Sequence, residues 1–160
     1  MVNKKQLKEA IKREYAKCAQ DPTYFLGKYG IIQHPVRGKV NFNLYDFQEK
    51  SLKSFMEHDY NSVLKARQLG LSTLTAGYAL WMMTFQKDKN ILVIATKQET
   101  AKNLVTKVRV MHANLPGWLK QPCVEDNKLS LRYKNGSQIK AVASSEESGR
   151  SEALSLLIID

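Results

Sequence analysis

The chain has 160 residues, 43% of them hydrophobic, with 25 lysines and arginines against 15 aspartates and glutamates. That length suits one domain with a real core and excludes two full enzymatic domains, and the hydrophobic share excludes a wholly disordered chain. No apolar run reaches the roughly 18 residues of a membrane helix, and the lysine-rich start predicts no secretory signal. Two cysteines, Cys18 and Cys123, are too few for a disulfide framework.

The net charge of +10 indicates a polyanionic partner, most often nucleic acid. A basic surface that serves only solubility is the alternative. Charge therefore favours a nucleic-acid partner over a purely solvated basic surface.

The first 60 residues are predicted to form a helical extension that packs on the core following it. An aspartate followed by a proline is typical of the start of a helix. The predicted elements are a helix over 3–20, a short helix opened by Asp21-Pro22, a strand over 40–44 and a helix over 45–58.

Residues 61–160 are predicted to form an α/β core with a largely parallel central sheet, since strands and helices alternate along it. Asn135-Gly136 is the strongest short hairpin signal and predicts an antiparallel addition to that sheet or an edge of it. The predicted elements are a strand over 62–66, a helix over 72–85, a strand over 90–96, a helix over 98–114, hairpin strands over 128–133 and 137–144, and a strand over 154–160.

The segment from Lys65 to Thr73 lies between a predicted strand and a predicted helix. A phosphate-binding loop belongs at such a place, because backbone amides and the helix dipole converge there. The standard pattern is G-x-x-x-x-G-K-[ST]. In that register Gly70 is the second glycine and Ser72 is the hydroxyl that would reach Mg²⁺. Lys65 replaces the first glycine, and Leu71 replaces the usual lysine.

Two cations in this loop can replace the missing lysine. The loop curls around the phosphates, so the long Lys65 side chain at its start lies near them as well. The planar fork of Arg67 matches phosphate oxygens. Taken alone, Gly-x-Ser-Thr between a strand and a helix is equally typical of an ordinary helix N-terminus, so this segment by itself leaves both interpretations open.

The end of the sequence supplies the second half of such a site. Leu156–Ile159 is an apolar strand that ends on Asp160. In P-loop NTPases an aspartate at that place holds the Mg²⁺ shell beside the loop hydroxyl. The loop and the acidic strand together indicate a nucleotide site much more strongly than either segment alone. A buried strand that stops at its functional end also predicts that the chain is a fragment of a longer protein.

Two other segments carry candidate contacts to a nucleotide. Tyr45 and Gln48 begin a predicted helix upstream of the loop. The Gln48 amide can pair with the edge of adenine while aromatics beside it stack on the base or ribose, the alternative being a surface glutamine beside core aromatics. Arg150, in the polar loop 143–151, is a candidate arginine finger, the alternative being a flexible surface loop.

Together these segments resemble the large terminase subunit of tailed bacteriophages, the ATPase motor that packages DNA into the prohead. The resemblance covers nearly the whole chain, and its specific part is the loop K-x-R-Q-x-G-x-S-T over 65–73. Terminases are known for a deviant Walker A motif whose basic residue has moved to the start. The other segments that carry the resemblance are 21–25, 32–38, 44–48, 135–137, 143–145, 149–150 and 158–160.

The resemblance implies a P-loop NTPase fold of the RecA-like (ASCE) type, a three-layer α/β sandwich with a mostly parallel central sheet. It implies a helical N-terminal extension at 1–60 that carries the adenine-recognition motif. The P-loop ATPase core then occupies 61–160 and is truncated after the Walker B strand.

The resemblance also implies ATP and Mg²⁺ as cofactors. Ser72 and Asp160 are the residues implied to organise the metal. Arg150 would be an arginine finger acting across subunits, and Arg67 is a rival acting in cis. The residues implied to bind ATP are Tyr45, Gln48, Lys65, Arg67, Gln68, Gly70, Leu71, Ser72 and Thr73.

The implied activity is ATP hydrolysis coupled to the packaging of double-stranded DNA. The implied partners are DNA, the portal protein and the small terminase subunit, with the motor a homo-oligomeric ring in the host cytoplasm and no membrane involved. The glutamate that normally follows the Walker B aspartate is absent from the sequence, so we expect residues 1–160 alone to be weakly active or inactive. Two alternatives stay open: another P-loop nucleic-acid ATPase of helicase-like type, and a basic DNA-binding module without catalysis.

Overall fold

The computed structural model of the protein describes residues 4–144 and 153–160. None of the helices in these residues is both long enough and apolar enough to cross a bilayer. The elements are α1 (Lys4–Gln20), α2 (Pro22–Tyr29), β1 (Ile31–His34), β2 (Gly38–Asn41), α3 (Asp46–Glu57), α4 (Leu71–Phe85), β3 (Asn90–Ala95), α5 (Gln98–Asn114), β4 (Cys123–Asp126), β5 (Ser130–Tyr133), β6 (Gln138–Ala143) and β7 (Leu156–Ile159).

The helices follow their sequence signals closely. Asp21 caps α2 as predicted, since its carboxylate accepts a hydrogen bond from the Thr23 backbone N–H at 2.7 Å. The predicted strand over 40–44 lies a little earlier, as β2, and it pairs antiparallel with β1, which the sequence pattern did not reveal. β1 reads Ile-Ile-Gln-His, which does not alternate apolar and polar residues, so periodicity does not reveal it.

The main sheet has five strands in the order β4-β5-β6-β3-β7. β3 lies between β6 and β7 and runs parallel to both, whereas β5 pairs antiparallel with β6 and with β4. The predicted hairpin around Asn135-Gly136 is confirmed as β5–β6. The sheet of the described residues is therefore mixed rather than mostly parallel, because this hairpin and β4 add two antiparallel pairings to a parallel centre.

The strand predicted over 62–66 is wrong. Residues 61–66 belong to no strand, and the side chain of Leu64 is fully exposed while that of Val63 is about half exposed. A strand requires a neighbouring backbone to take its hydrogen bonds, and no strand of the described residues pairs with this segment. The local pattern is typical of a strand, but it does not show whether a partner strand is present.

The core is centred on α4, whose apolar residues occur on every side of the helix. Such a helix is stable only when it is buried all round, and α4 packs against α5 on one side and against α2 and α3 on others. Its Trp81 indole N–H donates to the Cys18 carbonyl of α1 at 2.8 Å. The N-terminal helices and the sheet region therefore share one hydrophobic core; the predicted boundary at residue 60 stays a prediction.

The carboxyl ends of three parallel strands meet at one edge of the sheet. The Asp160 backbone N–H donates to the Ile94 carbonyl, and the Ser144 N–H donates to the Ala95 carbonyl. In open α/β sheets this edge is where ligands bind. The last residue of β3 and the residue after β7 thus lie side by side at the edge expected to carry the site.

Candidate phosphate-binding site

The turn that precedes α4 exposes backbone N–H groups. Gln68 and Gly70 both have left-handed backbones, with φ of 64° and 71°. The Gly70 carbonyl accepts hydrogen bonds from the N–H groups of Thr73 and Leu74, which begins the helix. The backbone N–H groups of residues 70–72 have no hydrogen-bond acceptor among the described residues. Free N–H groups at the positive end of a helix dipole form an anion-binding site.

Three predicted site residues converge beside this turn. The Ser72 hydroxyl donates to Asp160 Oδ2 at 2.7 Å. Lys65 Nζ lies 3.7 Å from Asp160 Oδ1, with 36% of the lysine side chain and 24% of the aspartate side chain exposed. A cation, a hydroxyl and a carboxylate thus meet at the N-terminus of α4 and the end of β7, although 95 positions separate Lys65 from Asp160.

Lys107 of α5 is a charged neighbour that the sequence analysis missed. Burial lowers the pKa of its half-buried ammonium group; the nearby Asp160 carboxylate raises that pKa, and the charge of Lys65 lowers it further. The signal was present in the sequence, because position 107 lies on the stripe of α5 that carries the buried Leu104, Val108 and Met111. A lysine on such an apolar stripe packs its aliphatic stem on apolar surface and carries its charge to a polar opening.

Gln48 lies under the turn. Its side chain is 2% exposed. The amide nitrogen Nε2 donates to the Leu69 carbonyl at 3.1 Å, and the amide oxygen Oε1 accepts from the Tyr45 backbone N–H at 3.1 Å. The residue predicted to face adenine is therefore buried and bonded to the loop and to the start of its own helix.

Tyr45 stands beside this glutamine with an open ring. Its side chain is 67% exposed and stacks on the Phe47 ring, with centroids 5.6 Å apart and planes inclined by 7°. Such a pair of exposed parallel rings offers an aromatic face to solvent at the start of α3, the helix whose Gln48 is bonded to the loop.

The remaining predicted contacts differ in their surroundings. Arg67 and Gln68 are exposed and make no ion pair or side-chain hydrogen bond with the described residues. Leu71 is buried in the core, so only its backbone is available to a phosphate. Arg150 lies outside the described residues.

Two clefts open near these elements. One, of about 460 Å³, contains Lys65, Ser72 and Asp160 and extends along β7 toward the end of α3. A larger one, of about 580 Å³, lies between the start of α2 and α3 and has carboxylates and ammonium groups on its walls but none of the predicted site residues. The smaller cleft is the better candidate for a polyanion, because it contains Lys65 and Ser72 and reaches the start of α4.

The donor set suits a hard cation as well as a phosphate. No cluster of three or more histidine, cysteine, aspartate or glutamate side chains that could hold a metal occurs among the described residues. One carboxylate and one hydroxyl are nevertheless the protein oxygens that Mg²⁺ commonly takes when substrate phosphates and waters complete its shell.

Comparison with known proteins gives a fold relationship. The structure is similar to that of the large terminase of bacteriophage HK97, with a TM-score of 0.68 and 17% sequence identity, over 89% of this chain and 30% of that chain. No family model matches the sequence. The predicted resemblance to large terminases is thus confirmed at the level of the fold, and this chain spans less than a third of the length of the HK97 protein.

Proposed function

We propose that this chain is the nucleotide-binding part of a large terminase, an ATPase that couples ATP binding and hydrolysis to the packaging of double-stranded DNA. The observation that carries the proposal is the meeting of Lys65, Ser72 and Asp160 at the N-terminus of α4. The similarity of the fold to a phage large terminase supports it.

Lys65 supplies the charge that the standard loop takes from a lysine next to its serine. Its ion pair with Asp160 is partly exposed, and such pairs contribute only about 0–1 kcal/mol. A triphosphate can therefore take the ammonium group at little cost. The N–H groups at the start of α4 then hold phosphate oxygens in the loop.

Ser72 and Asp160 fit Mg²⁺, because their oxygens lie 2.7 Å apart and face the same cleft. When bound, Mg²⁺ neutralises charge on the β- and γ-phosphates. Asp160 orients the Ser72 hydroxyl by accepting a hydrogen bond from it. Arg67, exposed on the loop, is the cation that we assign to transition-state charge in cis, and Arg150 is its rival acting in trans.

The DNA substrate is the second half of the proposal. The net charge of +10 suits a polyanion, and binding of double-stranded DNA should weaken steeply with salt because lysine and arginine displace condensed counterions. The proposal also implies that the chain acts in a homo-oligomeric ring. Its protein partners would be the portal protein and the small terminase subunit.

The test is binding of a non-hydrolysable ATP analogue with Mg²⁺ to the chain and to Lys65→Ala and Ser72→Ala variants. We expect the dissociation constant to rise at least about tenfold in each variant, because a charge-assisted hydrogen bond contributes roughly 1.5–3 kcal/mol.

Lys128→Ala is the matched control. Lys128 is an exposed lysine in the β4–β5 turn, so its removal lowers the net charge equally without touching the cleft. Equal affinity in Lys65→Ala, Ser72→Ala and the unmodified chain would remove the loop assignment. DNA binding without any nucleotide binding would favour a basic module without catalysis.

A further inference from the structure

We propose that Gln48 positions the phosphate-binding turn and does not read the base, so that this site selects a nucleotide by its phosphates and by stacking. The inference rests on the proposed function. It replaces the predicted role of Gln48 as an adenine contact with a different one.

The bonds of the Gln48 amide carry the argument. A glutamine that reads adenine must offer the base a free donor and a free acceptor side by side. In this structure one amide N–H donates to the Leu69 carbonyl and the amide oxygen accepts from the Tyr45 N–H. Only 2% of the side chain is exposed, so the second amide hydrogen and the second lone pair are not open to a ligand. To reach a base, the amide must leave both partners and give up the hydrogen bond that holds the Leu69 carbonyl.

The packing around Gly70 shows what these bonds achieve. A Cβ placed on Gly70 would lie 2.9 Å from Gln48 Nε2, so the amide packs directly against the α-carbon that begins α4. The bonded Leu69 carbonyl belongs to the peptide that enters this left-handed residue. Gln48 thereby fixes the peptide from which the free N–H groups and Ser72 follow.

Base binding is then left to the exposed rings. Tyr45 and Phe47 offer a flat apolar face, and stacking on an aromatic side chain accepts any base because every base has a π-face. The site should therefore bind ATP and GTP with similar affinity, within about threefold of each other.

The experiment measures dissociation constants for ATP, GTP and inorganic tripolyphosphate, each with Mg²⁺, on the full 160-residue chain and on its Gln48→Ala variant. We expect the variant to bind all three ligands about tenfold more weakly and by the same factor. All three carry the phosphates that the loop binds, and the substitution displaces the loop without removing a contact to the base. Glu49→Gln, an exposed neighbour on α3, is the control and should leave all three constants unchanged.

Gln48→Glu separates positioning from a general loss of structure. Its carboxylate keeps the acceptor for Tyr45 N–H but cannot donate to the Leu69 carbonyl. Its protonated form restores that donor, and burial raises the pKa of such a carboxyl group. We therefore expect its tripolyphosphate affinity, relative to the unmodified chain, to recover as the pH falls from about 8 to about 5.5.

The outcomes are distinct. A loss confined to ATP in Gln48→Ala, or a strong preference of the unmodified chain for ATP over GTP, would overturn this inference and leave the proposed function standing. An unmodified chain that binds neither nucleotide nor tripolyphosphate would contradict the proposed function itself, and the inference with it. An equal loss for all three ligands, with the pH-dependent recovery, supports the positioning role.

Discussion

Ser72 in the first turn of α4 donates its hydroxyl hydrogen bond to Asp160 at the end of β7, at 2.7 Å, across 88 positions of sequence. The bond joins the helix that begins at the exposed N–H groups to the strand that ends at the ligand-binding edge. It also brings Asp160 to within 3.7 Å of the Lys65 ammonium group, which makes the carboxylate the common neighbour of the cleft's cation and its hydroxyl.

The first prediction concerns the metal. Asp160→Asn keeps the size of the side chain and removes its charge, so it should abolish the gain in nucleotide affinity that Mg²⁺ provides while leaving metal-free binding equal or slightly tighter. The measurement is the thermal shift produced by ATP with and without Mg²⁺. A variant that retains the full Mg²⁺ dependence would show that Asp160 is not a metal ligand.

The second prediction concerns the turn before α4. Gly70→Ala should destabilise the fold by at least about 1–2 kcal/mol, because a left-handed backbone penalises a side chain. In addition its Cβ would approach Gln48 Nε2 to 2.9 Å. Urea unfolding measures the change.

Gly27→Ala in α2 is the matched control for that glycine. Gly27 is helical and a Cβ there would contact nothing within 4 Å. Alanine should stabilise the helix by about 0.5–1 kcal/mol. The opposite sign of the two substitutions is the expected result, and equal effects would refute the argument from backbone conformation.

The third prediction concerns acid stability. Glu14 Oε1 accepts hydrogen bonds from Lys28 Nζ, Tyr29 Oη and Tyr24 Oη, at 2.7 to 2.8 Å, and these bonds, led by that from Lys28, lower the pKa of Glu14 from 4.5 to about 2. Because the folded-state pKa is depressed, the stabilisation is complete above about pH 4.5 and is lost as the pH falls toward 2.

Glu14→Gln tests this linkage. The variant should be less stable than the unmodified chain at pH 7, and the two should approach each other between pH 4.5 and about 2. Unfolding midpoints in urea measured across that range decide the matter. A constant difference at every pH would show that the carboxylate charge does not link α1 to α2.

The fourth prediction concerns a buried hydroxyl. Tyr133 is 1% exposed, and its hydroxyl has no hydrogen-bond partner among the described residues; burial raises the pKa of this phenol well above its ordinary value. Tyr133→Phe should therefore raise the free energy of unfolding by roughly 1 kcal/mol. Tyr29→Phe, which removes a hydroxyl bonded to Glu14, should lower it by a similar amount, and a loss of stability in Tyr133→Phe would contradict the assignment.

Local sequence patterns were enough to predict the elements that depend only on neighbouring residues. The Asp21 cap, the apolar α4, the continuous strand β3 and the Asn135-Gly136 hairpin were all predicted correctly, since each depends on residues within a few positions of one another. The strand predicted over 62–66 failed because a strand also needs a partner, which no local pattern supplies. The antiparallel share of the sheet was underestimated for the same reason.

The sequence by itself determined the α/β class, the start of α4 to within one residue (72 predicted, Leu71 observed) and the types of residue available to a phosphate. Only the tertiary structure decided that Lys65, Ser72 and Asp160 touch, that Lys107 lies near them, and that Gln48 is bonded beneath the turn. The physical reason is distance along the chain. Helix caps and turns are set by neighbouring residues, whereas a cleft is assembled by core packing that joins positions 65, 72, 107 and 160, and no period in a single sequence encodes that meeting.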